Sequence, residues 1–219
     1  NLYSIAETSD GGYIMGGKSD SNISGDKTED SNSAWDYWIV KTDNTGIIQW
    51  ENTIGGSGLD ELHSISQTTD GGYILGGMSD SDISGDKTGN SLGNDDFWIV
   101  KTDSLGVIQW QNTIGGSGSD YLYSIAQTTD GGYILGGQSE SNISGDKTEN
   151  SIGSYDYWIV KIDSTGAIQW QNTVGGNDKD FLHSIAQTSD GGYILGGYSL
   201  SNISGDKTGN SLGNDDFWI

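Results

Sequence analysis

Oxygen-bearing side chains at alternate positions ahead of a glycine are how calcium loops begin, and this sequence contains two such stretches. The first reads Asp20-Ser21-Asn22-Ile23-Ser24-Gly25-Asp26, and sixty residues later comes Asp80-Ser81-Asp82-Ile83-Ser84-Gly85-Asp86. Alternate side chains can converge on one ion, and the glycine permits the sharp turn this needs. Asp20, Asn22, Ser24 and Asp26, with Asp80, Asp82, Ser84 and Asp86, are therefore candidate calcium ligands, and calcium is the one cofactor suggested. Two departures count against it. The third ligand is a serine, and the twelfth position, where a bidentate acid would stand, is Ser31 or Ser91. In two further copies the first ligand becomes Glu140 and then Leu200. The competing reading is a turn network in which Asn22 and Asp26 bond the loop's own backbone.

Aromatic rings offer a second chemistry, stacking on the apolar faces of sugars. Trp38, Trp98, Trp158 and Trp218 lie in apolar runs, as do Trp50, Trp110 and Trp170 beside isoleucine or valine-rich strands, and these are expected to pack sheet on sheet. Trp35 and Tyr155 differ. They stand in polar loops where the other copies carry Asp95 and Asp215, which makes them the candidate ligand-binding contacts. His63 and His183 alternate with Tyr3 and Tyr123 at one repeat position and read as packing residues. The lysines of each Gly-Asp-Lys-Thr (Lys27, Lys87, Lys147, Lys207) and of the apolar runs (Lys41, Lys101, Lys161) are expected to pair with neighbouring acids. Gly-Asp-Lys-Thr lacks the upstream glycine spacing and following helix of a phosphate loop.

Catalysis has little to work with. There is no arginine, no cysteine and no Ser-His-Asp arrangement. Acids are plentiful, but most recur at the same place in other copies, whereas acid–base work needs groups held in unlike environments. No catalytic residue is assigned, and the chain reads as a non-enzyme.

These residues are positioned by a tandem repeat with a period of 60. Ser4-Ile5-Ala6 returns at Ser64, Ser124 and Ser184, Asp10-Gly11-Gly12-Tyr13-Ile14 at Asp70, Asp130 and Asp190, and Trp38-Ile39 at Trp98, Trp158 and Trp218. Copies run over about 1–60, 61–120, 121–180 and 181–219, the last incomplete. Copies two and four also share the run from Thr88 to Ile99 and from Thr208 to Ile219, the mark of a duplicated two-copy block. Each copy predicts four strands, over 3–8, 13–18, 36–42 and 47–54 in the first, with glycine turns at Gly11-Gly12 and Gly46 and a polar loop over 19–35. The second and third strands are apolar on consecutive residues, hence buried on both faces. In an antiparallel protein that requires sheets stacked between sheets, which radial stacking of four-stranded blades provides. The expected fold is an all-β propeller of four-stranded antiparallel blades, about 3.65 of them in 219 residues, forming a single propeller or part of a larger one. A β-solenoid is the alternative, but its rungs are usually about 20–30 residues.

Charge narrows the partners. Nine lysines face 31 acids, a net charge of -22, which repels nucleic acid and attracts cations. No run approaches the roughly 18 apolar residues of a membrane helix. No signal peptide is visible, and a chain opening on Asn1 and closing within a strand at Ile219 reads as a piece of a longer protein.

The strand ending in Gly16-Gly17, then a loop, then an aromatic-rich strand carrying Trp38, resembles the kelch-type blade. The run Asp163-Ser164-Thr165-Gly166-Ala167-Ile168-Gln169-Trp170 is similar to the tryptophan-docking turn of quinoprotein-type propellers, one residue shorter before the glycine. It departs from the tighter Asp-box of sialidases. Over the whole chain, the pattern Ser-Ile-x-Gln-Thr-x-Asp-Gly-Gly-Tyr-Ile-x-Gly-Gly at 124–137, followed by Asp-Tyr-Trp-Ile-Val-Lys-x-Asp at 156–163, resembles the repeats of long secreted bacterial and archaeal proteins. That resemblance implies an extracellular or cell-surface propeller and no particular reaction. The function expected is non-catalytic adhesion, or carbohydrate or protein binding, with a glycan or a protein as partner. A structural or assembly module, a spacer or filament subunit that contacts copies of itself, comes second, and a catalytic propeller acting on glycans third.

Overall fold

A computed structural model describes residues 1–32 and 34–219; Ser33, inside the polar loop expected over 19–35, lies outside the described residues. Fifteen strands and no helix occur among them. The first sheet is β1 (Leu2–Glu7), β2 (Tyr13–Ser19), β3 (Asp36–Thr42) and β4 (Ile48–Ile54). The second is β5 (Asp60–Gln67), β6 (Tyr73–Ser79), β7 (Asp96–Thr102) and β8 (Ile108–Ile114). The third is β9 (Asp120–Gln127), β10 (Tyr133–Ser139), β11 (Asp156–Ile162) and β12 (Ile168–Val174). The last has three strands, β13 (Asp180–Gln187), β14 (Tyr193–Ser199) and β15 (Asp216–Trp218). Within every sheet the strands pair antiparallel in chain order and the sheet stays open. This is the four-stranded, propeller-type blade that the 60-residue period predicts. The sheets occupy 2–54, 60–114, 120–174 and 180–218, joined by the short links 55–59, 115–119 and 175–179, each opening on Gly-Gly.

Turn chemistry explains the hairpins. Between β1 and β2, Gly11 takes φ +81° and donates to the Thr8 carbonyl at 2.8 Å. The Asp10 carboxylate accepts from the Thr8 hydroxyl and from the Gly12 N–H at 3.0 Å. Lys41, from β3, reaches the same carboxylate at 2.9 Å, and Lys101–Asp70 and Lys161–Asp130 repeat the pair at 2.9 and 3.0 Å. The third-strand lysines thus pair with acids as expected. Their partners stand 31 residues back, across the sheet.

The chain divides into two compact units, Asn1–Ser91 with Phe97–Thr113, and Leu92–Asp96 with Ile114–Ile219. In the first unit, β5 packs on β1, β2 and β3. Ile14, Tyr37, Ile39, Leu62, Ile65 and Leu75 form its core. In the second unit, β13 packs on β9, β10 and β11 around Ile134, Ile159 and Ile185. The first glycine of the Gly-Gly pair in β2 and in β10 is what allows this approach. A methyl on Gly16 would stand 2.5 Å from Leu62 Cδ2, and one on Gly136 2.6 Å from Leu182 Cδ2. β6, β7, β10 and β11 are buried along their whole length, as their continuous apolar runs require.

Candidate functional site

The loops after the second strands close on themselves. Ser24 and Lys27 exchange backbone hydrogen bonds at 3.1 Å, and Gly25 takes φ +58° at the tip. The Ser24 hydroxyl donates to the Asn22 carbonyl, and Ser84 to that of Asp82. The Asp80 carboxylate turns to the Leu59 N–H and Asp86 accepts from Gly55 N–H at 3.2 Å. The loop is stapled from its far side by residues the sequence reading missed. Asp30 accepts the Ile23 N–H at 2.9 Å, and Asn90 that of Ile83 at 3.1 Å. Their signal was an Asp or Asn at every copy's equivalent position. Among the described residues no group of three or more carboxylate or imidazole side chains is arranged to hold a metal.

Trp35 and Tyr155 take up equivalent places at the start of the third strand. Their backbones are fixed by the strand that follows: Asp60 N–H donates to the Trp35 carbonyl at 2.8 Å, and Asp180 N–H to that of Tyr155 at 2.7 Å. Both rings are half-buried, each amid side chains from neighbouring strands.

In the first unit, the Lys18 ammonium lies 3.4 Å from the centroid of the Trp35 ring and 2.6 Å from Glu61 Oε1. His63 Nε2 stands 4.0 Å from the other Glu61 oxygen, and its ring meets Tyr3 at 5.3 Å. Trp35 therefore caps a buried Lys18–Glu61 pair and is already a cation's partner.

In the second unit the rings meet one another. Tyr121 and Tyr155 lie 6.3 Å apart, Tyr155 stacks on Phe181 at 5.9 Å, and Phe181 meets Tyr198 at 4.8 Å. His183 stacks on Tyr198 at 5.5 Å and is exposed rather than packed away. Carboxylates border the rings: the Tyr121 hydroxyl donates to Asp95 at 3.0 Å, and Tyr155 bonds Glu140. Burial and then Glu140 push the Tyr155 hydroxyl well above its ordinary pKa, so it remains a donor at any physiological pH. The Gln138 carbonyl oxygen on β10 is buried without a partner.

These contacts bring together three of the columns in which the copies differ. Lys18, Met78, Gln138 and Tyr198 share one repeat position, Glu61, Tyr121 and Phe181 another, and Trp35, Asp95, Tyr155 and Asp215 a third. By contrast Ile14, Ile74, Ile134 and Ile194 are the same in every copy. The sequence reading found only Trp35 and Tyr155. Aligning the copies by column and asking where they disagree would have found the rest.

Trp98, Trp158, Lys87 and Lys147 are packed inside the fold. Trp98 and Trp158 are fully buried, and their indole N–H groups donate to Gln111 at 3.1 Å and Gln171 at 3.0 Å. Lys87 and Lys147 depart from the expected acid pairing. Each is buried and donates to a threonine hydroxyl, Thr113 at 2.9 Å or Thr173 at 2.6 Å, with its ammonium about 5.6 or 5.4 Å from an indole centroid. Desolvation lowers the Lys147 pKa; Asp120, Asp156 and Glu149 oppose that from a distance. Low water access favours an indole face over a second, desolvated charge.

Repeated open antiparallel four-stranded sheets define the chain as an all-β protein of propeller-type blades. No family model and no curated protein matches it. Among the described residues no helix is long and apolar enough to cross a membrane.

Proposed function

We propose that the chain is a non-catalytic binding module of an extracellular or cell-surface protein, taking a carbohydrate or protein ligand on the aromatic cluster around Tyr155. One observation supports this above all. Copies that agree at their structural positions differ at the columns that gather around Tyr121, Tyr155, Phe181 and Tyr198. Selection for a ligand gives a reason for that pattern. Half-buried rings bordered by Asp95 and Glu140 offer stacking faces beside hydrogen-bond acceptors, which suits a neutral or cationic saccharide or peptide.

A glycan array probed with the 219-residue chain is expected to give selective hits. Phe181→Ala and Tyr155→Ala should each weaken those hits about tenfold, equivalent to about 1.4 kcal/mol. Selective binding that both variants leave unchanged would place the ligand elsewhere, and an array with no hits alongside capture of a basic peptide would make the ligand a protein.

Calcium gives a separate test. With the loops closed by their own hydrogen bonds, chelation is expected to leave the melting temperature where it was. A calcium-dependent rise abolished by Asp82→Ala would assign the ion to the loop whose spacing suggested it.

A further inference from the structure

Within the first unit a groove of about 530 Å³ opens between the first and second sheets, at the end that carries the β1–β2 and β7–β8 turns. Small-ligand pockets are about 300–1,000 Å³, so it has room for one. Two rings line it, Trp50, half-buried on β4, and Tyr73, buried at the start of β6. Their centroids are 5.8 Å apart, edge to face. The β7–β8 turn lies against the indole: a methyl on Gly106 would stand 3.0 Å from Trp50 Cζ3, and Asn52 donates to the Gly106 carbonyl at 3.0 Å.

The polar lining is ordered by its own bonds. Lys41 donates to Asp10 Oδ2 at 2.9 Å and to Gln49 Oε1 at 3.0 Å. An ammonium only donates, so this contact fixes which end of the Gln49 amide is oxygen and leaves the amide nitrogen as a donor. The Ser9 N–H donates to Gln67 at 2.7 Å, and Gln67 Nε2 donates to the Gly71 carbonyl at 3.3 Å, which ties the β1–β2 turn to the second sheet. Among the described residues the Gln49 amide nitrogen, the Trp50 indole N–H and the Ser9 and Ser104 hydroxyls have no partner in the chain. Trp98 and Trp158 differ in this, because their indoles are bonded to Gln111 and Gln171. The second unit repeats the arrangement. Lys161 meets Asp130 at 3.0 Å and Gln169 at 3.1 Å, the Thr129 N–H donates to Gln187 at 2.9 Å, and Trp170 lies 5.6 Å from Tyr193.

We propose that this groove is a further binding site, taking a single neutral sugar ring against Trp50. The lining selects that class. A partly open indole accepts the apolar face of a sugar. Donors on Gln49, Trp50, Ser9 and Ser104 beside an acceptor on Asp10 match hydroxyl groups, which both donate and accept. Lys41 offsets the charge of Asp10, so a cation finds that carboxylate already engaged, and the net charge of -22 repels an anionic sugar. The inference stands on this groove alone and is independent of ligand binding at Tyr155.

Nitrogen–proton NMR spectra of the indole groups test it, with the 219-residue chain titrated against the methyl glycosides of glucose, galactose and mannose. The assigned Trp50 indole signal is expected to shift saturably with at least one of them. Gln49 is exposed, so Gln49→Ala should keep the wild-type circular dichroism spectrum while weakening that binding about fivefold, the loss of one hydrogen bond. Tyr155→Ala should leave the Trp50 titration unchanged, which separates this groove from the aromatic cluster of the second unit. A Trp50 signal that no neutral glycoside moves, tighter binding of methyl glucuronide than of methyl glucoside, a Gln49→Ala chain that binds as wild type does, or a shift abolished by Tyr155→Ala would each overturn the proposal.

Discussion

Gly115→Ala is expected to destabilise the protein by about 3–5 kcal/mol, the sum of an overpacked core and a lost buried cap. Gly115 follows β8, and a methyl there would stand 1.7 Å from Asp96 Oδ1. Asp96 cannot retreat cheaply. It is fully buried, and its other oxygen accepts the Leu92 N–H at 2.6 Å and the Gly93 N–H at 3.3 Å, holding the polar loop to the start of β7. Displacing the carboxylate frees both backbone donors. Gly55 and Gly175 meet Asp36 and Asp156 at 1.9 Å in the same way, so Gly55→Ala and Gly175→Ala should act alike. Gly209→Ala is the control: nothing lies within 4 Å of its Cβ position, and the change should stay within about 0.5 kcal/mol. Urea unfolding midpoints decide the matter, and equal midpoints for Gly115→Ala and Gly209→Ala would refute this account of the link.

Asp120→Ala is expected to cost about 2–4 kcal/mol and, unlike the glycine change, to alter how stability responds to pH. Asp120 opens β9. Its Oδ2 accepts the Gly116 N–H at 2.7 Å and the Ser141 hydroxyl at 3.0 Å, and the residue is fully buried. Burial raises its pKa, against the hydrogen bonds of Ser139, Gly116 and Ser141 that lower it, and Asp96 raises it further. Asp60, Asp86, Asp146 and Asp156 are also raised, burial leading in each.

The sign follows from proton linkage. A carboxyl whose folded pKa exceeds its unfolded one binds more protons when folded, so stability grows as pH falls through the folded value toward 3.8. The turn carboxylates act the other way. Lys101 and Thr68 help hold Asp70 down to about 2, and Thr128, Gly132 and Lys161 hold Asp130 at about 2. Their stabilisation is complete above 3.8 and disappears as pH drops through about 2. The melting temperature should therefore rise on mild acidification from pH 7 and fall in stronger acid. Relief of the -22 net charge adds to the rise. Asp120→Asn keeps an acceptor for Gly116 and should be less damaging than alanine, while flattening the acid-side rise. A wild-type melting temperature that falls steadily from pH 7 to pH 4, or an Asp120→Asn profile parallel to wild type, would refute the linkage.

Most of the architecture was legible beforehand because it depends on local rules applied four times over. Asp10-Gly11-Gly12 specifies a turn wherever it occurs, and Tyr-Ile-Leu-Gly-Gly and Trp-Ile-Val specify strands too apolar to face water on either side. The site was harder to see. Lys18 and Glu61 are 43 residues apart, and Tyr155 meets Phe181 from a different sheet, so no window along the chain contains either pair. The loop 20–26 is ambiguous in sequence for a related reason. Alternating oxygens look the same in sequence whether they face an ion or a backbone N–H, and the Gly55 and Leu59 N–H groups that engage Asp86 and Asp80 come from the preceding link.

What the sequence by itself determined is the unit and its count: four strands every sixty residues, greasy on both faces, with glycines where the chain turns. What the tertiary structure alone decided is which side chains become neighbours when one such sheet lies on the next. The reason is physical. Strand and turn preferences are set by a residue and its immediate chain neighbours, whereas burial, desolvated charge and ring stacking depend on packing across a gap that only the fold closes.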